Sequence, residues 1–207
     1  MRNAEATKVR ILEAALGEFS TYGIAGARVD RIAQTAGCNK NLIYIYFQSK
    51  EALFATVLQK NLSRVNEEIP FSPDDLPGFS VGVFDFAMAH PDLMRLIAWF
   101  GLEQKVDGPT ERGVSWGEKV AALKKAQKAG QVGTAFPPNF LMTAIMTLAT
   151  GWTAANPFGP SLDPEALKRS AAIRQDIAQA VRLLSASNSG GRKSGPGSAY
   201  PRARRLH

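Results

Sequence analysis

Apolar residues recur near the start of the chain at Val9, Leu12, Leu16 and Phe19, with spacings of three, four and three. Such positions share one face of an α-helix, so the pattern predicts an amphipathic helix over 5–22, ended by Gly23. A shorter helix is expected over 29–36, with Val29, Ile32, Ala33 and Ala36 turned inward. Gly37 and Cys38 then read as a tight turn. Asn39 is suited to cap a third helix through Phe47, because its side-chain oxygen accepts from exposed backbone N–H groups. Ser49 does the same for a fourth helix running to about 66, with Glu51 well placed near its positive end.

Pro70, Pro73 and Pro77 interrupt the periodicity and mark a boundary between a head, 1–66, and a body, 67–187. The body again reads as helices, over 78–89, 91–105, 111–129, 137–155 and 163–187. The last is expected to begin at Asp163, Pro164 and Glu165, a cap, a first-turn proline and a first-turn acid. Neither a strand run nor an internal repeat is visible, so the fold class is all-α. From Asn188 onward Ser, Gly, Pro and Arg dominate, and 188–207 is expected to be a disordered basic tail.

Composition narrows the setting. The 207 residues are 45% hydrophobic, enough for a substantial core. No run of 18 or more apolar residues occurs, and Glu13 and Glu18 interrupt the N-terminal pattern, so neither a membrane span nor a secretion signal is expected. Cys38 is the single cysteine, which excludes an intramolecular disulfide and suits a reducing cytoplasm. Charge is unevenly spread: 1–66 carry 9 Lys and Arg against 5 Asp and Glu, 67–187 carry 11 against 13, and the tail has 5 basic groups and no acid. A basic head on a mildly acidic body fits a polyanionic partner held at one end.

Two short helices joined by a glycine turn and braced by a longer helix are the arrangement expected of a DNA-binding helix-turn-helix. The second of the pair, from Asn39 to Phe47, is the candidate reader, since a helix fits the major groove. Ile43 and Phe47, four apart, should face the core. Asn39, Lys40 and Asn41 stand at the N-terminal end, where side chains and N–H groups approach bases and phosphates. Tyr44 and Tyr46 offer hydroxyls on rigid rings, and Lys50 adds a cation at the start of the fourth helix. Each also has a plainer role as packing or surface charge.

The stretches KVRILEAALGEFSTYGIAGA and RVDRIAQTAGCNKNLIYIYFQSKEALFATVL resemble the head of the tetracycline-repressor (TetR) family, over about 5–65. The resemblance implies DNA contacts from Arg28, Lys40, Asn41, Tyr44, Tyr46 and Lys50, with Asn39 as cap and contact. Two residues depart from the usual pattern. Leu42 replaces a small polar residue and suggests an apolar contact, for instance with a thymine methyl. Asn41 replaces a small residue and could pair with adenine.

The resemblance also implies an all-helical, homodimeric second domain with a small-molecule pocket, and HPDLMRLIAWFGLEQ is similar to one variety of it. Trp99, Phe100, Trp116, Met142 and Met146 are the candidate effector contacts, although each also suits ordinary core. Helices 137–155 (Phe140, Leu141, Ile145, Leu148, Trp152) and 163–187 (Leu167, Ala171, Ile177, Ala178, Val181, Leu184) are expected to pair across a dimer. Two readers about 34–36 Å apart would then require a palindromic double-stranded operator. Release by an effector follows if the ligand prefers one state. Repression is the mode the resemblance implies. The tail could add sequence-independent DNA affinity.

An enzyme is disfavoured. Only His90 and His207 are histidines, and no metal cluster, phosphate loop or serine elbow is present in the sequence. His90, before Pro91, reads as a cap or loop residue. No cofactor is expected.

Overall fold

The computed structural model describes residues 2–103, 110–154, 156 and 158–187, and all regular structure among them is helical. The expected tail, 188–207, lies outside the described residues, as do the last two positions of the helix expected over 91–105. The head comprises α1 (Arg2–Gly26), α2 (Val29–Ala36), α3 (Lys40–Phe47) and α4 (Lys50–Glu68). Ile11, Ala15 and Phe19 of α1 are fully buried, one turn apart, while Leu12 and Leu16 are partly buried and Val9 is 41% exposed. The inward stripe is therefore rotated from the expected one. Helix α1 is covered by α2, α4 and α6 together, which centres its buried face on the 11–15–19 line. The Phe19 and Phe54 rings meet edge to face at 5.2 Å and join α1 to α4.

The turns follow from local chemistry. Gly23 interrupts α1 at φ 67°, ψ −176°, a backbone conformation essentially restricted to glycine. Gly37 ends α2 in the left-handed region, and the Cys38 N–H returns to the Ala33 carbonyl at 3.0 Å. The Asn39 side chain accepts from the Asn41 N–H at 2.8 Å, and Ser49 Oγ accepts from the Ala52 N–H at 3.0 Å, so both expected caps are made. Between them Gln48 turns the chain at φ 67°, the one non-glycine at positive φ among the described residues.

A 3-10 turn, Pro73–Asp75, leads into α5 (Leu76–Ala89), α6 (Pro91–Glu103), α7 (Thr110–Lys128), α8 (Pro138–Thr150), α9 (Phe158–Leu162) and α10 (Ser170–Ser185). Helix α5 is apolar on most of its circumference because it is packed by α8, α10 and α6. Two expected helices are shorter in the structure. The helix over 137–155 stops at Thr150, where Gly151 caps it and Thr153 Oγ1 donates back to the Thr150 carbonyl at 2.9 Å. The segment from 163 does not start a helix: Asp163 follows α9, Ala166–Arg169 form a 3-10 turn, and α10 begins at Ser170. Helix α9 falls between the two expected helices, in a stretch for which no element was expected.

Head and body share one continuous core, and α1 packs more extensively on α6 than on any other element. Trp99 Nε1 donates to the Ser20 carbonyl at 3.2 Å. The Glu103 carboxylate accepts from the N–H groups of Ile24 at 2.9 Å and Ala25 at 3.0 Å. Phe100 stacks on Phe54 at 6.4 Å. Trp99 and Phe100, expected among effector contacts, thus occupy the junction between head and body. Their position beside the Gly23 break, where a glycine leaves room for an indole, explains why.

Candidate nucleic-acid interface and the cavity behind it

Helix α3 is amphipathic within two turns. Ile43 and Phe47 are buried, whereas Lys40, Asn41, Tyr44 and Ile45 are exposed, so these four form the outward face. Residues 40 and 44, and 41 and 45, lie one turn apart on that face. Lys40 Nζ lies 2.9 Å from an Asp30 carboxylate oxygen, and that hydrogen bond and charge hold the ammonium above its ordinary pKa. Lys40 is therefore cationic at any working pH. Exposed pairs of this kind are weak and readily exchanged for phosphate. Tyr44 is 43% exposed, with its ring toward solvent. Tyr46 is half-buried, edge-on to Phe47, with the Lys8 ammonium 5.5 Å from its ring centre.

Lys50 and Arg28 flank this face. Lys50 Nζ donates to the Ala27 carbonyl at 3.2 Å, which ties the start of α4 to the turn before α2. Arg28 is exposed at the N-cap of α2, and its backbone N–H donates to Glu18 at 2.8 Å. The same Glu18 carboxylate accepts from Arg31 Nε at 2.8 Å and holds the Arg31 guanidinium above its ordinary pKa. Glu18 thereby fixes the start of α2 onto α1, a role not expected from sequence. Ile45, 70% exposed, was also overlooked, although two residues from buried Ile43 is nearly the opposite side of a helix.

Behind the head, α4, α5, α6, α7 and α8 line an open-sided cavity of about 570 Å³. That is large enough for a drug-sized molecule. Trp116, Met142 and Met146 line it, as does Met94, with Thr143, Thr147 and Thr150 along one wall; Trp99 and Phe100 do not. The Lys119 ammonium lies 5.4 Å from the Trp116 ring centre, and partial burial lowers its pKa. Helices α4 and α6 each reach both regions. Leu62 and Val65 of α4 face the cavity while Lys50 stands at the α3 end, and Met94 and Ile97 of α6 face it while Glu103 holds α1. No helix among the described residues is long and apolar enough to cross a membrane.

A short helix that exposes Lys40, Asn41, Tyr44 and Ile45, seated on an all-helical body with an open-sided cavity, fits a DNA-binding regulator. The family model described as bacterial regulatory proteins, tetR family, matches residues 11–57, and the tetracyclin repressor-like C-terminal domain matches 75–182. The HTH-type transcriptional repressor SCO4008 of Streptomyces coelicolor is 41% identical over 159 residues, covering 75% of this chain and 82% of that one. The repressor NicS of Pseudomonas putida is 28% identical over 151 residues, covering 69% and 71%. The crystal structure of SCO4942 from Streptomyces coelicolor superposes with TM-score 0.76 at 35% identity, covering 87% of this chain and 99% of that one. The chain belongs to the TetR family of transcriptional regulators, and its relatives are regulators rather than enzymes.

Proposed function

We propose that the protein is a ligand-responsive repressor that binds a palindromic operator as a homodimer and is released by a small apolar or amphipathic molecule in the α4–α8 cavity. The observation that carries this reading is the double duty of α6, which presents Met94 and Ile97 to the cavity and fastens α1 through Glu103. A ligand that prefers one position of α6 shifts the population of heads able to dock. Arg28, Asn39, Lys40, Asn41, Tyr44, Tyr46 and Lys50 are the proposed DNA contacts. Trp116, Met142 and Met146 are the proposed effector contacts. Repression is supported by the two curated relatives named as repressors.

Homodimerisation is supported by large apolar side chains left in water on the single chain. Phe140, Phe158, Leu162, Leu167 and Leu183 are all exposed on or beside α8, α9 and α10. Of the residues expected there, Leu141, Ile145, Ile177 and Val181 are buried inside the protomer, so the outer neighbours are the ones left to meet a partner. A cytoplasmic location goes with this reading, since a DNA reader works where the operator is. The experiment is selection of randomised duplex DNA by the purified protein at near-physiological salt, followed by sequencing. A palindrome with half-sites about one helical turn apart is the expected result. Salt-sensitive binding with no enriched sequence would overturn it.

A further inference from the structure

We infer that Ile45 reads a thymine methyl in each operator half-site and so sets the base preference at that position. This rests on the reading of α3 as the helix that enters the major groove. Ile43 and Phe47 turn inward, which leaves Ile45 on the opposite side at 70% exposure, beside Lys40, Asn41 and Tyr44. Its side chain has no hydrogen-bond donor or acceptor, so a phosphate or a polar base edge gives it nothing. It gains only by leaving water, and the apolar group displayed in the major groove is the thymine C5 methyl, which no other base carries. Cations at both ends of α3 bring this side chain to DNA rather than to an apolar protein surface: Lys40 is its first residue and Lys50 opens the next helix.

Asn41 stands one helical turn before Ile45, about 6 Å along the axis, so the two address base pairs within about two steps of each other. A polar reader of adenine followed by an apolar reader of thymine is a coherent pair for one strand of an A·T-containing half-site. Leu42, for which a methyl contact was expected from sequence, is half-buried beside Ile43 and presents less surface. The contact therefore moves from Leu42 to Ile45.

The test replaces each thymine of the selected operator by deoxyuridine, symmetrically in both half-sites, and measures affinity at fixed salt for the wild type and Ile45→Ala. Loss of one buried methyl from each of the two half-sites weakens wild-type binding roughly tenfold at one position. Ile45→Ala binds the thymine and uracil operators at that position equally, and its salt slope matches the wild type because no phosphate contact is removed. An Ile45→Ala protein that still discriminates as the wild type does, or a wild type indifferent to every uracil, overturns the assignment while leaving operator reading intact. A wild type that enriches no operator overturns both. The position is exposed, and circular dichroism of the variant confirms that the fold is unchanged.

Discussion

Glu103 spans the break at Gly23 by accepting from the Ile24 N–H at 2.9 Å, while its second oxygen takes the Ala25 N–H at 3.0 Å. Two donors left free by the broken helix are thus satisfied by a residue from the body, on the last turn of α6. The arrangement needs a glycine twice over. The backbone conformation excludes other residues, and a Cβ at position 23 would fall 2.2 Å from Glu103 Oε1 and 2.9 Å from Trp99 Cε3.

Gly23→Ala is expected to destabilise the protein by about 3 kcal/mol or more, from backbone strain plus displacement of a charge-assisted acceptor. Gly37→Ala meets the same sign of φ with open space around it, and should cost only about 1 kcal/mol. Glu103→Gln keeps an acceptor and should cost about 1–2 kcal/mol. Urea denaturation of the three variants checks the ranking, and equal losses at the two glycines would contradict the spanning role of Glu103.

Asp30 brings a negative charge beside the proposed DNA contacts and occupies Lys40. Asp30→Asn is expected to raise operator affinity by about threefold near 0.1 M salt, by removing repulsion and freeing a cation. Because Asp30 raises the Lys40 pKa, the ammonium stays charged from acid to well above neutral, and releasing it lets the pKa fall back only to the ordinary lysine range. The gain should therefore be flat between pH 6 and 8. A titration series across that range tests it; weaker binding by the variant would mean that Asp30 positions Lys40 in the bound state.

Lys50 is held by the Ala27 carbonyl, at the edge of the reading face. With two copies in the proposed homodimer, Lys50→Ala should make the slope of log affinity against log salt shallower by roughly 2, without changing which bases are preferred. An altered base preference with an unaltered slope would place Lys50 on a base edge instead.

Filling the cavity should both exclude an effector and imitate one. A neutral apolar fluorophore such as N-phenyl-1-naphthylamine is expected to brighten on the wild type and not on Met146→Trp, which projects an indole into the space. Under the proposed function an indole in this space stands in for an effector, so operator affinity should fall as well. Equal brightening of both proteins would place the fluorophore elsewhere.

The head was largely legible in sequence because its signals are local. The Asn39 and Ser49 caps, the Gly37 turn and the inward pair Ile43 and Phe47 depend on residues within four positions of each other. What escaped depends on distant neighbours. Nothing near Val9 announces that α6 will rotate the buried face of α1, and nothing near Trp99 distinguishes a junction residue from a cavity wall. Glu18 and Glu103 act on backbone N–H groups 10 and 79 residues away, which no periodicity encodes. The break-up of 163–187 was hidden by a start signal at Asp163 to Glu165 that the chain uses for a 3-10 turn. Ile45 was readable from helical phase alone, once exposure rather than burial was asked of an apolar residue.

On α6, Met94 and Ile97 stand nine and six residues before Glu103, so about 9–14 Å separates the turns that meet the cavity from the end that clasps α1. A coupling carried by such a rod has no preferred direction. Whatever factor an effector removes from operator affinity, the operator must remove from effector affinity. Molecules already seated on DNA would then answer to higher effector concentrations than free ones, and the number of competing sites in a genome would itself help set the threshold for release.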